Sequence, residues 1–355
     1  VKVGEKEPAD VGKATDFISV EQYEALVKGA LAGLLTVTTD SKGVTTFAGV
    51  TEGDTPLQIV KATATANGEL TLIKTDENHK SITSSLKIEA EGVNGKSATA
   101  MEATNVGDKV ASTGEITVNA HAVGMKANTG ANAVNEGTIA VANADGIGML
   151  ATGDGAIVTN DGTTFTVNGG TGMSAENGGT VVNNVEKTIA ISSAAGKGMV
   201  VTGNGTATNA GTIEVNNEES VGMLATTEAG QTATLINNGT IDVQAGTGIK
   251  VAGEGTTTIT GGTITGTTTA VGIDVASSTG TLTIKNTKIT VGAGGTGIKA
   301  TGNANITLKD GVILDLNAAG TGTGIAYTGG STEAKANIST GDIDVKNDNG
   351  ITATL

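Results

Sequence analysis

The 355-residue sequence contains no cysteine, no tryptophan and no arginine. Without cysteine the fold uses neither disulfides nor thiolate metal sites. All 21 basic residues are therefore lysines, set against 36 carboxylates for a net charge of −15. A surface so acidic repels nucleic acid and anionic lipid, which makes both poor partner candidates, and no nucleic-acid partner is expected. Aromatic residues make up only 1% of the chain: Phe17, Tyr23, Phe47, Phe165 and Tyr327. A globular core of this size leans on aromatic bulk, so a different kind of interior is expected. Only two prolines occur, as befits a chain whose backbone N–H groups feed β-ladders. Nowhere does an apolar run reach the about 18 residues that a membrane-spanning helix needs.

What the sequence has instead is a repeated phrase. Val123-Gly124-Met125 returns as Ile147-Gly148-Met149, Thr171-Gly172-Met173, Lys197-Gly198-Met199 and Val221-Gly222-Met223. It continues with isoleucine as Thr247-Gly248-Ile249, Val271-Gly272-Ile273, Thr296-Gly297-Ile298, Thr323-Gly324-Ile325 and Asn349-Gly350-Ile351. Successive anchors are separated by 24, 24, 26, 24, 26, 24, 25, 27 and 26 residues, and Met101 lies another 24 upstream of Met125. A period near 25 held over so many steps is the signature of a solenoid. The anchors Met101, Met125, Met149, Met173, Met199, Met223, Ile249, Ile273, Ile298 and Ile325 are expected to stack in a slim interior. Methionine suits such a space because it adapts its shape.

A second phrase precedes the anchors: Glu115-Ile116-Thr117-Val118, Thr138-Ile139-Ala140-Val141, Thr188-Ile189-Ala190-Ile191, Thr212-Ile213-Glu214-Val215 and Thr240-Ile241-Asp242-Val243. Period-2 geometry sends the two apolar residues inward and the middle residue outward. A third, weaker strand follows each anchor, as in Thr234-Leu235-Ile236 and Leu282-Thr283-Ile284. Three short strands in about 25 residues predict an all-β fold, a right-handed three-sided parallel β-helix. Asn-x-Gly-Thr recurs at Asn135, Asn160, Asn209 and Asn237. Asparagine and glycine enter left-handed backbone space cheaply, which suits a tight corner. Stacked asparagines can also bond to one another in a ladder.

The N-terminal part is less regular. Residues 1–36 are read as a polar segment followed by a short capping helix, with Ser19 as N-cap, Gln22 reaching back, and Tyr23, Leu26, Val27, Ala30, Leu31 and Leu34 on one face. Residues 37–92 are either irregular first coils or a small β cap, with Asp40-Ser41-Lys42-Gly43 as a hairpin turn. Residues 93–355 form the regular solenoid.

Candidate chemistry is sparse. The outward acids Glu214 and Asp242 fall on adjacent coils but are flanked by Ala190 and Thr265, which fits a solvated face better than an acid–base pair. His79 and His121, the only histidines, sit in different regions with no nucleophile motif beside them, and His121 is read as a turn or surface residue. Gly-Asp-Gly at 153–155 and Gly-Asn-Gly at 203–205 are turns rather than calcium repeats. No cofactor or metal is expected. Tyr327 is the one candidate for an exposed aromatic in the regular coils, and Glu214, Asp242 and Tyr327 are the ligand-binding candidates.

Asn-x-Gly-Thr-Ile-x-Val strands combined with x-Gly-Met anchors over about residues 93–355 resemble the passenger domains of large type V autotransporter adhesins. The resemblance is strongest to the fusobacterial outer-membrane adhesins of the RadD-like family. It implies display at the cell surface and attachment to a bacterial or host cell-surface protein or glycan. It also implies a longer parent chain that continues to a C-terminal outer-membrane β-barrel, this piece being monomeric. No catalytic or ligand-binding residue carries over position by position. Two alternatives stay open: a polysaccharide-degrading enzyme of the pectate-lyase-like fold, and a structural stalk with binding located elsewhere.

Overall fold

The computed structural model describes residues 2–3, 35–39, 44–49, 51–52, 55–56, 59–63, 70–92, 96–276, 280–302, 304–316, 322–328, 337–340 and 343–346. The capping helix expected after Ser19 and the last anchor phrase, Asn349-Gly350-Ile351, lie outside these residues. Among the described residues there is no helix. They form an all-β parallel solenoid of about ten turns repeating every 25 or so residues, divided into two compact units.

The first unit comprises residues 1–174 with 179–181. It opens on an antiparallel hairpin, Leu35–Thr39 against Val44–Gly49. Parallel ladders already run through Leu70–Lys74, Ser81–Ser84 and Lys87–Glu91. A typical coil then holds three strands: Thr138–Val141, Ile147–Thr152 and Ile157–Asn160. The anchor column pairs Ile73 with Met101, Met101 with Met125 and Met125 with Met149. The Ile-x-Val column pairs Ile88, Ile116, Ile139 and Phe165 in turn. All of these side chains are essentially removed from water, each contributing roughly 1.5–3 kcal/mol of burial.

Among the residues whose burial is described, Phe165 is the one aromatic in that interior. It fits because Gly148 faces it: a Cβ at Gly148 would lie 2.6 Å from the Phe165 ring and 2.6 Å from the Gly172 carbonyl oxygen. Ordinary Cβ contacts are never that short, so the glycine of the anchor phrase is required by close stacking of neighbouring coils.

The second unit comprises residues 175–178 with 182–355. Its anchor column runs Met199, Met223, Ile249, Ile273, Ile298 and Ile325. The companion column runs Ile189, Ile213, Ile241, Ile264, Ile289 and Leu314. Ile325 departs from the expected core burial and is half-buried. In two coils the first and second strands merge into one long strand, Thr212–Thr227 and Thr240–Gly253, with register shifts near Asn216.

The corners correct one sequence expectation. Asn135, Asn160, Asn209 and Asn237 do not adopt left-handed backbone, and neither do the glycines two residues later. The asparagines are instead fully buried and bonded coil to coil. In the first unit Asn135 Nδ2 donates to Asn160 Oδ1 at 2.9 Å. In the second, Asn183 donates to Asn209 and Asn209 to Asn237, each at 2.8 Å. The corner glycine is needed because a Cβ at Gly137 would collide with the Gly114 carbonyl, and one at Gly239 with the Gly211 carbonyl. Asn183 escapes the sequence motif because two extra residues separate it from Thr188, with Glu186 turning at φ 64°.

Candidate functional site

The outward acids of the Ile-x-Val strands are register partners: Glu214 lies opposite Asp242, with Ala190 before them and Thr265 after. Both are half-buried, and Asp242 Oδ1 accepts a 3.0 Å bond from Gln244 Nε2. Nothing else chemically active joins the pair. Among the described residues no group of three or more His, Asp or Glu side chains is placed to hold a metal ion.

Tyr327 is not the exposed aromatic expected. The register sets it opposite Ala300, whose column faces the interior. It is half-buried, and its hydroxyl donates to the Gly302 carbonyl at 2.8 Å. Bulk and bonding both tie it to the coil beneath, so it offers no free ring face for a sugar. The three sequence candidates are therefore not brought together: two share a face and the third is structural.

Each histidine has a private aspartate. His121 sits at φ 50° in a turn, its Nδ1 2.7 Å from Asp145. His79 Nδ1 lies 3.0 Å from Asp76 Oδ1, which also accepts the backbone N–H groups of Asn78 and His79. Burial pushes the Asp76 pKa upward, but those backbone donors and His79 outweigh it and hold the carboxyl below its ordinary value. The group caps a tight turn.

Sequence reasoning missed two acids, and they are the two buried carboxylates among the described residues, Glu102 and Asp108. Glu102 occupies the outward position after the Met101 anchor, between Lys74 and Lys126 in register. Its oxygens accept bonds from Thr71 Oγ1 at 3.1 Å and Asn128 Nδ2 at 2.8 Å, and Lys126 Nζ lies 3.2 Å away. Burial is the largest single influence on its pKa and pushes upward. Lys126, Asn128 and Lys74 together win, leaving the carboxyl below its ordinary value. Every acceptor site with a neighbour is in use, which makes this a structural clasp.

Asp108 closes the turn after the anchor strand Ala98–Ala103. Thr75 Oγ1 donates to its Oδ2 at 2.7 Å, Asn105 N and Nδ2 each at 3.1 Å, and Thr104 Oγ1 at 3.4 Å. The carboxylate also lines a cleft of about 460 Å³ with Glu77, Lys80, Asn105 and Val106. Here the turn 76–80 of one coil faces the turn 104–108 of the next. No sequence motif marks this place; the signal available was a charged residue where later coils carry alanine.

Comparison with known proteins now fits onto this geometry. The family model described as the BigA third pectate lyase-like domain matches residues 32–186 and again residues 164–272. The chain belongs to that family. BigA-type domains are bacterial surface-protein domains with the pectate lyase-like fold, so the match supports an adhesin-like surface passenger without supporting the fusobacterial RadD-like family in particular. Neither a curated protein nor a solved structure matches the chain. The overlapping matches of one BigA domain model to successive stretches reflect the same repeat that the anchors trace.

Proposed function

We propose that this chain is a non-catalytic binding domain of a bacterial surface protein, an adhesin-like passenger that attaches the cell to other bacteria or to host surfaces. The observation that carries the reading is the match to a bacterial surface-protein domain. The state of the acidic side chains supports it. Glu102 is consumed in a clasp, Asp76 caps a turn, and Glu214 with Asp242 stands on an outward face without further catalytic groups. A stack of coils presents its outward columns as repeated weak contacts, and many weak contacts acting together give firm attachment. The high negative charge favours cationic partners and attachment that weakens with salt.

The test is surface display. The chain is presented on a non-adherent bacterium, and attachment to partner bacteria and to epithelial cells is counted against an empty-display control. Attachment that rises several-fold and falls with salt supports the proposal. Attachment equal to the control while the parent protein still adheres assigns these coils to a stalk. Release of reducing ends from polygalacturonate by the purified chain assigns them to an enzyme.

A further inference from the structure

We propose that the cleft between the turns at 76–80 and 104–108 binds a small zwitterion, a molecule carrying a primary ammonium and a carboxylate. It rests on the binding-domain reading only for its biological setting, since occupancy of the cleft is measured on the purified chain and attachment on cells.

Three observations point to the site. The first is a buried charge where the next two coils carry alanine. Asp108 stands in the column that continues with Ala131 and Ala156, as the register of the strands that follow them shows. Those alanines are buried, and so is Asp108, at 1% exposure. Burying a carboxylate where alanine completes the same turn costs free energy, which the four bonds to Oδ2 offset in part.

The second is how that charge is held. The bonds from Thr75, Thr104 and Asn105 all converge on Oδ2. Among the described residues none reaches Oδ1, while the side chain lines the cleft. One oxygen carries all four bonds and, among the described residues, the other carries none.

The third is the company Asp108 keeps. Lys80 and Glu77 line the same cleft, both exposed, and among the described residues Lys80 makes no ion pair with either acid. A bare metal ion is disfavoured by the Lys80 ammonium and by the absence of a third acidic ligand. A ligand with both charges satisfies both sides: its ammonium donates to Asp108 Oδ1 and its carboxylate meets Lys80. The chain between them lies against Val106, which is 79% exposed and is otherwise an unexplained apolar side chain on an acidic protein.

The experiment is saturation-transfer NMR and calorimetry on the full chain with 4-aminobutyrate, 5-aminopentanoate and 6-aminohexanoate as probes, and with butylamine and butyrate as single-charge controls. At least one zwitterion should bind, at least about tenfold more tightly than either control. Lys80→Ala, an exposed change that leaves the coil intact, should weaken it by a similar factor. Asp108→Asn, which keeps an acceptor for the Thr75 and Asn105 donors, should abolish binding, as should Asp108→Ala, while Lys80→Ala, remote from those bonds, guards against misfolding. Binding unchanged in Lys80→Ala, binding retained in Asp108→Ala, butylamine as tight as the zwitterions, or no binding of any probe would each overturn the proposal. Attachment that persists in Asp108→Ala cells separates failure of the cleft from failure of the adhesin reading.

Discussion

The coils at residues 70–112 and those at residues 183–263 share a backbone plan and bury different polar groups. At the end of the third strand the first unit reads Ser84, Ser112, Asn135 and Asn160 in register. The second unit starts its column with asparagine, Asn183, Asn209 and Asn237. The early coils carry two buried carboxylates, and each region holds one buried hydroxyl without a partner, Ser112 Oγ in the first and Thr257 Oγ1 in the second. The later coils bury amides that satisfy one another. A stacked amide donates to one neighbour and accepts from the other, so it repeats without limit and without charge. A buried carboxylate needs donors brought from elsewhere, as Thr71, Asn128 and Lys126 are brought to Glu102. The amide coils are thus the regular continuation of the solenoid, and the early coils are where it was modified.

The largest effect should come from the anchor glycine, which the second region carries at Gly198, Gly222 and Gly248 and the first region replaces with Leu72 and Ala100. Gly222→Val places a Cβ 2.6 Å from the Gly248 carbonyl and beside Ile241. Backbone cannot yield there, so a loss of about 4 kcal/mol or more is expected, read as failure of the second unit to melt cooperatively. Asn209→Leu comes next. It removes the amide partner of Asn183 and strands the Asn237 acceptor inside the solenoid, and a loss of about 2–4 kcal/mol is expected in urea melts.

Acid should separate the two regions. The folded Glu102 pKa lies below its ordinary value of 4.5. The stabilisation it brings is therefore complete above that value and disappears as pH falls through the lower folded value. Asp76 has the same sign. Protection of the Met101–Ala103 amides from hydrogen exchange, relative to the intrinsic rate at each pH, should fall between about pH 5 and pH 3 more than at Leu235–Asn237, where the buried partners do not titrate. Glu102→Gln should flatten that difference. The smallest effect is a gain: Ser112→Asn, followed two residues later by Gly114 as Asn135 is by Gly137, should extend the amide column by one coil. A stabilisation of about 1 kcal/mol is expected, and its absence would mean that the early coils are too tight for an amide.

Most of this fold could be read from the sequence because the anchors at Met125, Met149 and Met173 and the Ile-x-Val strands each record a local period. Asn183 was hidden because its corner is two residues longer, which breaks the motif while preserving the stack. The reason for the corner glycines was also misread: φ values are negative there, and the demand comes from the carbonyl of the neighbouring coil. The candidate site was illegible for a deeper reason. Glu102 and Asp108 stand at positions that alternation assigns to solvent or to a turn. Only the register shows which donors from residues 71–75 and 105–128 surround them. Conversely, Tyr327 reads as a candidate because it is one of two aromatics in the regular coils, and the inward direction of its column is a property of the pairing.

The central claim is that residues about one period apart are stacked neighbours. The chain has no cysteine, so an introduced pair reports without background. Thr258 and Thr283 are register partners, and Lys285 pairs with Thr260 instead. Neighbouring strands place paired Cα atoms about 4.8 Å apart, within disulfide range, and the diagonal pair about 8 Å apart, outside it. Under mild oxidation Thr258→Cys with Thr283→Cys should lose both free thiols, while Thr258→Cys with Lys285→Cys should keep them. Bond formation by the diagonal pair in place of the register pair would contradict the stacking on which the solenoid, the ladders and the cleft all depend.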